Sequence, residues 1–358
     1  MNNKQILIVA TRRIGDVLLV TPLLRSLRLA WPDARIDVLV FAGTEGVLSR
    51  NNDVDNVIAV THRSSFIQSA RFLMSLWRNY DLALSTMSSD RPTIYARVAG
   101  KYCIGEVDPG GKHQWKRWLL SRTVESDNLN THTVLMHLKL ADLLSIPRCH
   151  EVVMNWAAQD EAVVHAALPF DISLQPYVVL HVYPKYFYKA WNNEAWIALA
   201  AWFSARGIRI ILTGGNDEHE TVGLRELAAL MPIDTINLAG KLSFPCLAYL
   251  LSNAKAYVGP DTVVTHLAAA MGTPTIAIFG PTNAIKWGPW PAKYEFDANP
   301  FVMRGTQHVN NVILLQDERD CVPCMLEGCD RHISSSSDCL QNLPVKKVVQ
   351  ALGELGIR

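Results

Sequence analysis

Three features are missing from this sequence of 358 residues. No uninterrupted apolar run approaches the ~18 residues of a membrane-spanning helix, so none is expected. The 34 basic and 33 acidic residues nearly cancel, which argues against a protein that holds nucleic acid. The first apolar run, residues 6–10, is too short for a secretory signal, and Arg12 and Arg13 follow it. We therefore expect a cytoplasmic protein, in which cysteines are thiols or metal ligands rather than disulfides.

The residues that are present predict two α/β domains. Hydrophobic residues make up 49% and charged residues 19% of the chain, as in soluble globular proteins, and domains of ~150 residues suggest two of them. Continuous apolar runs alternate with helix-like stretches, which predicts parallel, doubly wound sheets buried on both faces. The predicted strands are 5–10, 36–40, 56–60, 82–86, 177–182, 208–213, 235–238, 256–259 and 275–279, and the predicted helices include 18–30, 66–78, 194–206 and 218–231.

The alternation stops at residues 169–176, where Pro169 and Pro176 flank a stretch without periodicity. This predicts a Rossmann-like domain over 1–168, a linker over 169–176, a second Rossmann-like domain over 177–340 and a terminal helix within 341–358 that packs back on the first domain. Two such domains in succession leave a cleft between the carboxyl ends of their strands, where the ligands of these sheets bind.

The strongest local signal is AYVGPDTVVTHLAAAMGTPTIAIFGPT at residues 256–282. A strand ends before Asp261 and Thr262, an alanine-rich helix follows, and a second strand ends before Thr282. The N-terminus of a helix at the top of a parallel sheet offers free N–H groups and a positive dipole end, which suits a diphosphate. The alternative is that Asp261 only caps the helix and His266 only packs.

The second signal, RRIGDVLLVTPLL at residues 12–24, follows the first strand. It lacks the G-x-G-x-x-G fingerprint, which counts against a nicotinamide dehydrogenase. Gly15 permits a tight turn, and Asp16 at the entrance to the next helix could act as general base towards a hydroxyl group. The alternative is a plain N-cap aspartate.

Three further loops follow strands of the second domain. YPKYFYKAW at 183–191 carries Lys185 and Lys189, which could neutralise a leaving diphosphate, unless both are surface lysines. Glu218, at the end of GGNDE, could accept hydrogen bonds from ribose or sugar hydroxyls. Leu242 lies in AGKLS, where backbone groups could contact a purine.

Taken together, these segments resemble the ADP-heptose:lipopolysaccharide heptosyltransferases, glycosyltransferase family nine, over essentially the whole chain. The most specific parts are GDVLLVTPLLRSLR, the K-x-W at 189–191 and PDTVVTHLAAAMGTPTIAIFGPTN. IDVLVFAGTEGVLSRNNDVDNVIAV looks most like the branch that adds the third core heptose. The resemblance implies the GT-B architecture, in which two Rossmann-like domains face each other across a cleft, the first binding the acceptor and the second the nucleotide sugar.

The resemblance also implies roles for single residues. Asp16 matches the catalytic base, and Lys189 matches the lysine that holds the donor phosphates. Arg12 and Arg13 are expected to contact carboxylates or phosphates of the acceptor. The remaining donor-binding residues are Glu218 near the ribose, Leu242 near the adenine, and Asp261, Thr262, His266 and Thr282 in the donor loops.

The implied reaction is a single displacement with inversion, in which Asp16 deprotonates the acceptor hydroxyl as it attacks the anomeric carbon opposite ADP. The helix dipole and Lys189 replace the divalent metal of other glycosyltransferases, so no cofactor is required. The expected partners are ADP-heptose or another nucleotide sugar, the inner core of lipopolysaccharide, and the cytoplasmic surface of the inner membrane, which the enzyme contacts peripherally.

Two departures from the family accompany this resemblance. Val263 and Val264 stand where the family often has glycine or alanine, and Asn192 replaces a proline after K-x-W. In addition, the carboxylate of Asp261 repels a diphosphate unless it is tied up, so we expect it to cap the helix or to bind sugar hydroxyls.

A basic, tryptophan-containing segment, KHQWKRWLLSR at residues 112–122, has two interpretations. It could rest on an anionic membrane or touch the charged inner core. It could equally be a partly buried helix with a solvated basic face.

Near the end of the chain lie Cys321, Cys324, Cys329 and Cys339. A CxxC pair with two further thiols could bind a structural zinc ion, although the usual second CxxC is missing. Reduced packing cysteines or a redox-sensitive pair are the alternatives.

Two other functions compete with heptosyl transfer. One is a GT-B enzyme that uses another nucleotide sugar, such as an epimerase, which would need further acid–base residues in the cleft. The other is a non-catalytic sugar-nucleotide-binding protein, favoured by Val263 and Val264 and opposed by the intact Asp16.

Overall fold

The computed structural model describes residues 4–63, 65–110 and 114–358. The chain forms two compact units: the first runs up to Asn155 and includes Glu295–Asn299, and the second comprises Trp156–Tyr294 and Pro300–Arg358. Each unit has a mostly parallel sheet with helices before and after its strands, which confirms the predicted α/β class with two Rossmann-like domains.

The first unit is a six-stranded parallel sheet. Its strands are β1 (Gln5–Val9), β2 (Arg35–Phe41), β3 (Asn56–Val60), β4 (Tyr80–Ser85), β5 (Gly100–Val107) and β6 (Arg122–Glu125). Its helices are α1 (Ile14–Leu18), α2 (Thr21–Ala30), α3 (Phe66–Leu76), α4 (Asp90–Ala99), α5 (Gln114–Leu119) and α6 (Thr133–Leu143). The order β3-β2-β1-β4-β5-β6 is the doubly wound Rossmann order, and β1 and β2 are almost completely buried as the continuous apolar runs predict.

The second unit repeats this winding. Its strands are β7 (Tyr177–His181), β8 (Arg209–Thr213), β9 (Ile236–Asn237), β10 (Ala256–Pro260), β11 (Thr275–Phe279), β12 (Gln307–Val309) and β13 (Val312–Gln316). Its helices are α7 (Ala158–Ala167), α8 (Asn193–Ser204), α9 (Glu218–Ala229), α10 (Phe244–Ser252), α11 (Val263–Ala270), α12 (Ala284–Trp287), α13 (Asp338–Gln341) and α14 (Val345–Glu354). The order is β12-β13-β11-β10-β7-β8-β9, with only β12 antiparallel to its neighbour.

The predicted helix 18–30 is observed as α2, which starts three residues later, and a separate short helix, α1, precedes it. Helix α1 ends at Leu18, and α2 starts at Thr21 with Pro22 in its first turn. Proline has no N–H, and its ring clashes with the preceding turn of a helix interior, but it fits a first turn. The chain therefore ends one helix and begins another at this point.

The division between the units lies at Asn155, earlier than the predicted linker. Helix α7 packs on α10, where His165 and Tyr249 are hydrogen-bonded at 2.9 Å. The segment 169–176 is also part of the second unit, because Arg209 on β8 lies over the ring of Phe170. Tertiary contacts of this kind leave no mark in local periodicity.

The terminal helix α14 belongs to the second unit, whereas the sequence predicted that it packs on the first. Its buried face of Val348, Ala351 and Leu352 joins the core that contains Phe203 of α8. Within the described ranges, no helix is both long enough and apolar enough to span a membrane.

Candidate functional site

In both units, polar loops lie at the point where the order of the strands in the sheet reverses. The reversal lies between β1 and β4 in the first unit and between β7 and β10 in the second. Ligands of doubly wound sheets bind beyond the carboxyl ends of these strands. Asp16 follows β1, Lys189 follows β7 and Asp261 follows β10, so the sequence-predicted residues are found at these two positions.

In the second unit, three predicted donor residues form one cluster. The ammonium group of Lys189, in a 3₁₀ turn over Phe187–Lys189, donates a hydrogen bond to Oδ2 of Asp261. Thr282, in the loop after β11, donates its hydroxyl to the same oxygen at 2.9 Å. The side chains of Lys189 and Asp261 are mostly withdrawn from solvent, so this cluster is an ion pair of low accessibility.

The cluster explains how a carboxylate can lie beside a diphosphate site. Burial alone would raise the pKa of Asp261, but the positive charge of Lys189, the neighbouring His266 and hydrogen bonds from Lys189 and Thr282 outweigh it and lower that pKa. Asp261 is therefore ionised and its charge is compensated by Lys189. Of the two roles expected for Asp261, the helix cap is wrong, because Thr262 is the N-cap residue and Asp261 is held by Lys189 and Thr282. The contact with sugar hydroxyls stays a prediction.

His266 lies in the second turn of α11 and is buried. Its Nε2 is 3.9 Å from Oδ1 of Asp261. Burial lowers the pKa of His266 to about 4, against the opposing effect of Asp261 and with a smaller contribution from Lys189. The imidazole is consequently neutral near pH 7 and adds no positive charge to the cluster.

The start of α11 is open to a ligand. Thr262 makes no side-chain capping bond, and the first amides of a helix have no acceptor within it. Behind this end, the hydroxyl of Tyr257 reaches Thr265 at 2.8 Å and passes so close to Gly259 that a Cβ there would lie 2.0 Å from it. Val264 is buried in the packing of the helix. The arrangement leaves N–H groups and a positive dipole end for an anion.

The loop that carries Lys189 is anchored from the end of the chain. Trp191 is buried, and its Nε1 donates to the carbonyl oxygen of Leu343 at 2.8 Å. Asn192, which replaces the family's proline, caps α8 by accepting from the amide of Ala195 at 2.7 Å and donates to the carbonyl of Gln341 at 2.7 Å. Asn192 thus starts helix α8 by side-chain capping. Proline also favours the start of a helix, so the two residues serve the same purpose here.

In the loop after β8, Glu220 rather than Glu218 holds the backbone, and the predicted contact of Glu218 with a ribose stays a prediction. Glu218 is exposed at the start of α9, whereas Oε1 of Glu220 accepts a hydrogen bond from the amide of Gly215 at 2.7 Å. Burial raises the pKa of Glu220, the Gly215 amide lowers it and Asp217 raises it. Glu220 was missed, although the two adjacent glycines could have indicated it, because a Cβ at Gly214 or Gly215 would lie 2.8 Å from its carboxylate.

Two other side chains complete the edge of this sheet. Leu242, half-buried, lies between β9 and α10 where the predicted adenine loop was placed. His181 ends β7 and is hydrogen-bonded through Nδ1 to Oγ1 of Thr213 at 3.1 Å. Burial lowers the pKa of His181 to about 4, with a smaller opposing effect of Thr213. Sequence analysis missed His181 because a histidine at a strand end carries no spacing signal.

The first unit presents a more open arrangement. Asp16 lies in the first turn of α1 with its side chain largely buried. Nη1 of Arg12, which is more exposed, lies 3.4 Å from Oδ1 of Asp16. Arg13 is the N-cap residue of α1 and is exposed. Asp16 is therefore not the N-cap aspartate of the alternative interpretation.

The basic segment 112–122 can be described only from residue 114 onwards, since Lys112 and His113 lie outside the described residues. In that part, Lys116 is buried and is bound to the carbonyl of Ser88 and to Asp90. Arg117 pairs with Glu125. These two basic side chains are engaged in the fold, as expected for a partly buried helix, while Trp118 is exposed.

The four C-terminal cysteines are free thiols. Cys339 is buried, and burial together with Cys324, and more weakly Cys321 and Cys329, raises its pKa to about 12. Across residues 4–63, 65–110 and 114–358, no three His, Cys, Asp or Glu side chains are placed to hold one metal ion. The thiols are neighbours, but within these described residues no three of them are brought to one position, so the zinc site that their spacing suggested stays a prediction.

Comparison with known proteins agrees with this geometry. The chain is 28% identical over 291 residues to lipopolysaccharide heptosyltransferase 3 of Escherichia coli, covering 77% of this chain and 83% of the relative. Its fold matches that of E. coli ADP-heptose lps heptosyltransferase II with a TM-score of 0.75 at 18% identity, covering 98% of each chain. It also matches E. coli heptosyltransferase WaaC with ADP, with a TM-score of 0.70 at 23% identity, covering 98% of this chain and 99% of that one.

These structural likenesses establish the GT-B fold. The sequence profile of glycosyltransferase family 9 (heptosyltransferase) matches residues 70–302, well over half of the chain. That range contains Lys189, Asp261 and Thr282, and it begins after Asp16. The chain belongs to glycosyltransferase family 9 (heptosyltransferase).

Proposed function

We propose that this protein transfers a heptose from ADP-heptose to the inner core of lipopolysaccharide. The observation that carries the proposal is the cluster of Lys189, Asp261 and Thr282 beside the open N-terminus of α11. A cation, a helix dipole and a compensated carboxylate together suit a nucleotide diphosphate linked to a polyhydroxylated sugar. The relatives named heptosyltransferase 3 and ADP-heptose lps heptosyltransferase II support the choice of donor and acceptor.

In the proposed complex, the second unit holds the donor. The diphosphate binds at Thr262 and the first amides of α11, and Lys189 exchanges part of its contact with Asp261 for a phosphate oxygen. Asp261 then accepts hydrogen bonds from heptose hydroxyls, because one of its oxygens is not used by Thr282 or Lys189. His266 is neutral and packs behind this carboxylate.

The nucleoside part is proposed to bind at the opposite edge of the same site. Glu218 approaches the ribose, from a helix whose start is fixed by the contact between Glu220 and Gly215. Leu242 covers the adenine from the loop between β9 and α10.

In the proposed reaction, the first unit supplies the base. Asp16 accepts the proton of the acceptor hydroxyl while its oxygen bonds to the anomeric carbon, and the bond from that carbon to ADP breaks. The leaving diphosphate keeps its electron pair, and Lys189 and the helix dipole stabilise its charge. Arg12 and Arg13 bind anionic groups of the acceptor core, for which their exposure at the start of α1 is suitable.

The acceptor is a glycolipid, and we therefore propose that the enzyme works at the cytoplasmic surface of the inner membrane. A structural zinc ion at Cys321, Cys324, Cys329 and Cys339 stays a separate prediction. Elemental analysis of the purified protein, compared with a variant in which Cys321 and Cys324 are both serine, tests it. One equivalent of zinc in the first sample and none in the second is the expected result for that site.

The proposed function is tested by incubating the purified protein with ADP-heptose and truncated lipopolysaccharide cores of graded length, with mass spectrometry of the glycolipid. We expect one core to gain the mass of a single heptose, and a heat-inactivated sample to give none. Binding of ADP-heptose without transfer to any core would indicate another acceptor or a binding protein. Failure to bind ADP-heptose would contradict the proposal.

A further inference from the structure

Helix α3 of the first unit is apolar on two sides. One side packs on the sheet, where Leu76 is buried and Phe72 and Leu73 are partly buried in a core with Val9 and Leu39. A helix that covers a sheet needs only this one apolar stripe, and its other side is normally polar.

The second side of α3 is apolar and faces solvent. Phe66 is 87% exposed, Ile67 63%, Met74 76% and Trp77 61%. The spacing 66, 70, 74 and 77 places these side chains on one face of the helix, with Ile67 beside it. We call this set the outer face of α3: Phe66, Ile67, Ala70, Met74 and Trp77. Contiguous exposed apolar surface of this size marks an interaction site.

The charged residues that lie within α3 and directly before and after it in the sequence are all basic. Between Asp55 and Asp81 the sequence contains three arginines and no acidic residue. Arg63 precedes α3, Arg71 lies within it and Arg78 follows it, and all three are exposed. In the part of the chain that the structure describes, none of the three forms an ion pair with a carboxylate. An apolar stripe bordered by unpaired cations complements an anionic lipid surface.

The outer face begins at the edge of the first unit that carries Asp16. Phe66 follows β3 at the carboxyl edge of the sheet, and Asp16 follows β1 at the same edge, two strands away. A membrane that touches the start of α3, at Phe66, would therefore bring lipid headgroups to the edge that carries Asp16. The end of α3, with Met74 and Trp77, lies towards the opposite edge, where β4 begins.

We propose that the outer face of α3 inserts into the surface of an anionic phospholipid bilayer, with Arg63, Arg71 and Arg78 contacting lipid phosphates. Phe66, Met74 and Trp77 enter the boundary between headgroups and acyl chains. This goes beyond the proposed transfer reaction, and it assigns the membrane contact to α3 rather than to residues 112–122. Lys116 and Arg117 are already engaged within the fold.

The test is flotation of the full-length protein with vesicles of phosphatidylcholine containing about one-third phosphatidylglycerol, and with phosphatidylcholine alone. We expect binding to the anionic vesicles and much weaker binding to the neutral ones. F66S/W77S should reduce the partition coefficient about tenfold or more, since it removes two inserted aromatic side chains. R71E/R78E should reduce it about 20-fold or more, because each arginine near an anionic surface contributes about fivefold.

Matched controls separate this surface from others. I233S alters a fully exposed apolar residue of the second unit, and W118S alters the segment 112–122; both should bind vesicles within twofold of the wild type. Since the altered side chains are exposed, circular dichroism melting should be unchanged for all variants. Hydrogen exchange of the wild type should show protection of residues 65–78 on vesicle binding.

Four outcomes would overturn the proposal, three of them in vesicle binding and one in sedimentation. They are absence of wild-type binding to anionic vesicles, F66S/W77S binding equal to that of the wild type, and loss of binding only in W118S. Sedimentation that shows a dimer dissolved by F66S/W77S would assign the outer face to a second copy of the chain, and would overturn it as well. Because flotation measures binding and not transfer, failure of the proposed reaction would be recognised separately.

Discussion

Both units are doubly wound sheets, but the polar side chains at the point where the strand order reverses are arranged differently in each. In the second unit, Lys189, Asp261 and Thr282 are already bonded to one another in a site with little solvent access. In the first unit, Asp16 has an exposed partner, Arg12, at 3.4 Å. In the proposed reaction, a leaving diphosphate needs fixed charges that do not reorganise, whereas the acceptor must enter and leave. The two carboxylates are similarly withdrawn from solvent, at 11% for Asp16 and 9% for Asp261, so the units differ in the cation beside the carboxylate, which is 42% exposed in Arg12 and 17% exposed in Lys189.

The largest difference that we expect between variants of the two units is in donor affinity. K189A should weaken ADP-heptose binding about a hundredfold, because truncation of one partner in a desolvated charge pair costs several kcal/mol. R12A should leave donor binding within twofold and raise the KM for the acceptor. Isothermal titration calorimetry and initial rates measure the two quantities. Equal losses of donor affinity in both variants would contradict the proposal that the second unit alone binds the donor.

The second effect is on stability. K189A leaves the ionised Asp261 without its partner in a mostly buried site, so the free energy of unfolding should fall by about 3 kcal/mol. R12A removes an exposed partner and should cost less than about 1 kcal/mol. Urea unfolding measures both. The double variant K189A/D261N should recover part of the loss, and no recovery would show that the pair is not the cause.

The third effect is the pH dependence of the second unit. The pKa values of His181 and His266 are lowered to about 4 from 6.5 by burial, so each is neutral when folded and binds a proton more readily when unfolded. Their stabilising contribution is complete above pH 6.5 and is lost as pH falls from 6.5 to 4, by up to about 1.4 kcal/mol per pH unit for each group. H181Q should halve this dependence in thermal unfolding between pH 6.5 and 4.5. An unchanged slope would mean that His181 is not neutral in the folded state.

The smallest effect distinguishes two neighbouring glutamates. E220A removes the acceptor of the Gly215 amide and should lower the free energy of unfolding by about 1 kcal/mol. E218A alters an exposed side chain and should be neutral for stability, while donor affinity falls if Glu218 binds the ribose as proposed. Differential scanning calorimetry and donor titration separate the two. If E218A lost stability and E220A did not, the assignment of the Gly215 contact to Glu220 would be wrong.

Much of the fold follows from local sequence. The buried strands β1, β2, β7 and β10 are continuous apolar runs, and a parallel sheet is the arrangement that buries both faces. Strands β5 and β6 were not predicted, because β5 contains Lys101, Tyr102 and Glu106 among its apolar residues and β6 has only four residues.

The loops of the proposed donor site could be predicted from the sequence, but the hydrogen bonds between their side chains could not. The loops that carry Lys189, Asp261 and Thr282 could be located because each follows a strand. Their pairing depends on the order in which β7, β10 and β11 lie side by side, which local periodicity does not contain. For the same reason, Asp261 was expected either to cap a helix or to bind sugar hydroxyls, and not to pair with Lys189, and Glu220 and His181 were not singled out.

We propose that the second unit binds the donor while the first supplies the base. This division is tested by calorimetric ADP-heptose binding and heptose transfer by D16N, measured on one preparation beside the wild type. We expect a donor Kd within twofold of the wild type and a transfer rate lower by about a thousandfold, because loss of a general base costs about 10²–10⁴ in rate. Transfer within tenfold of the wild type, or loss of donor binding in D16N, would contradict it.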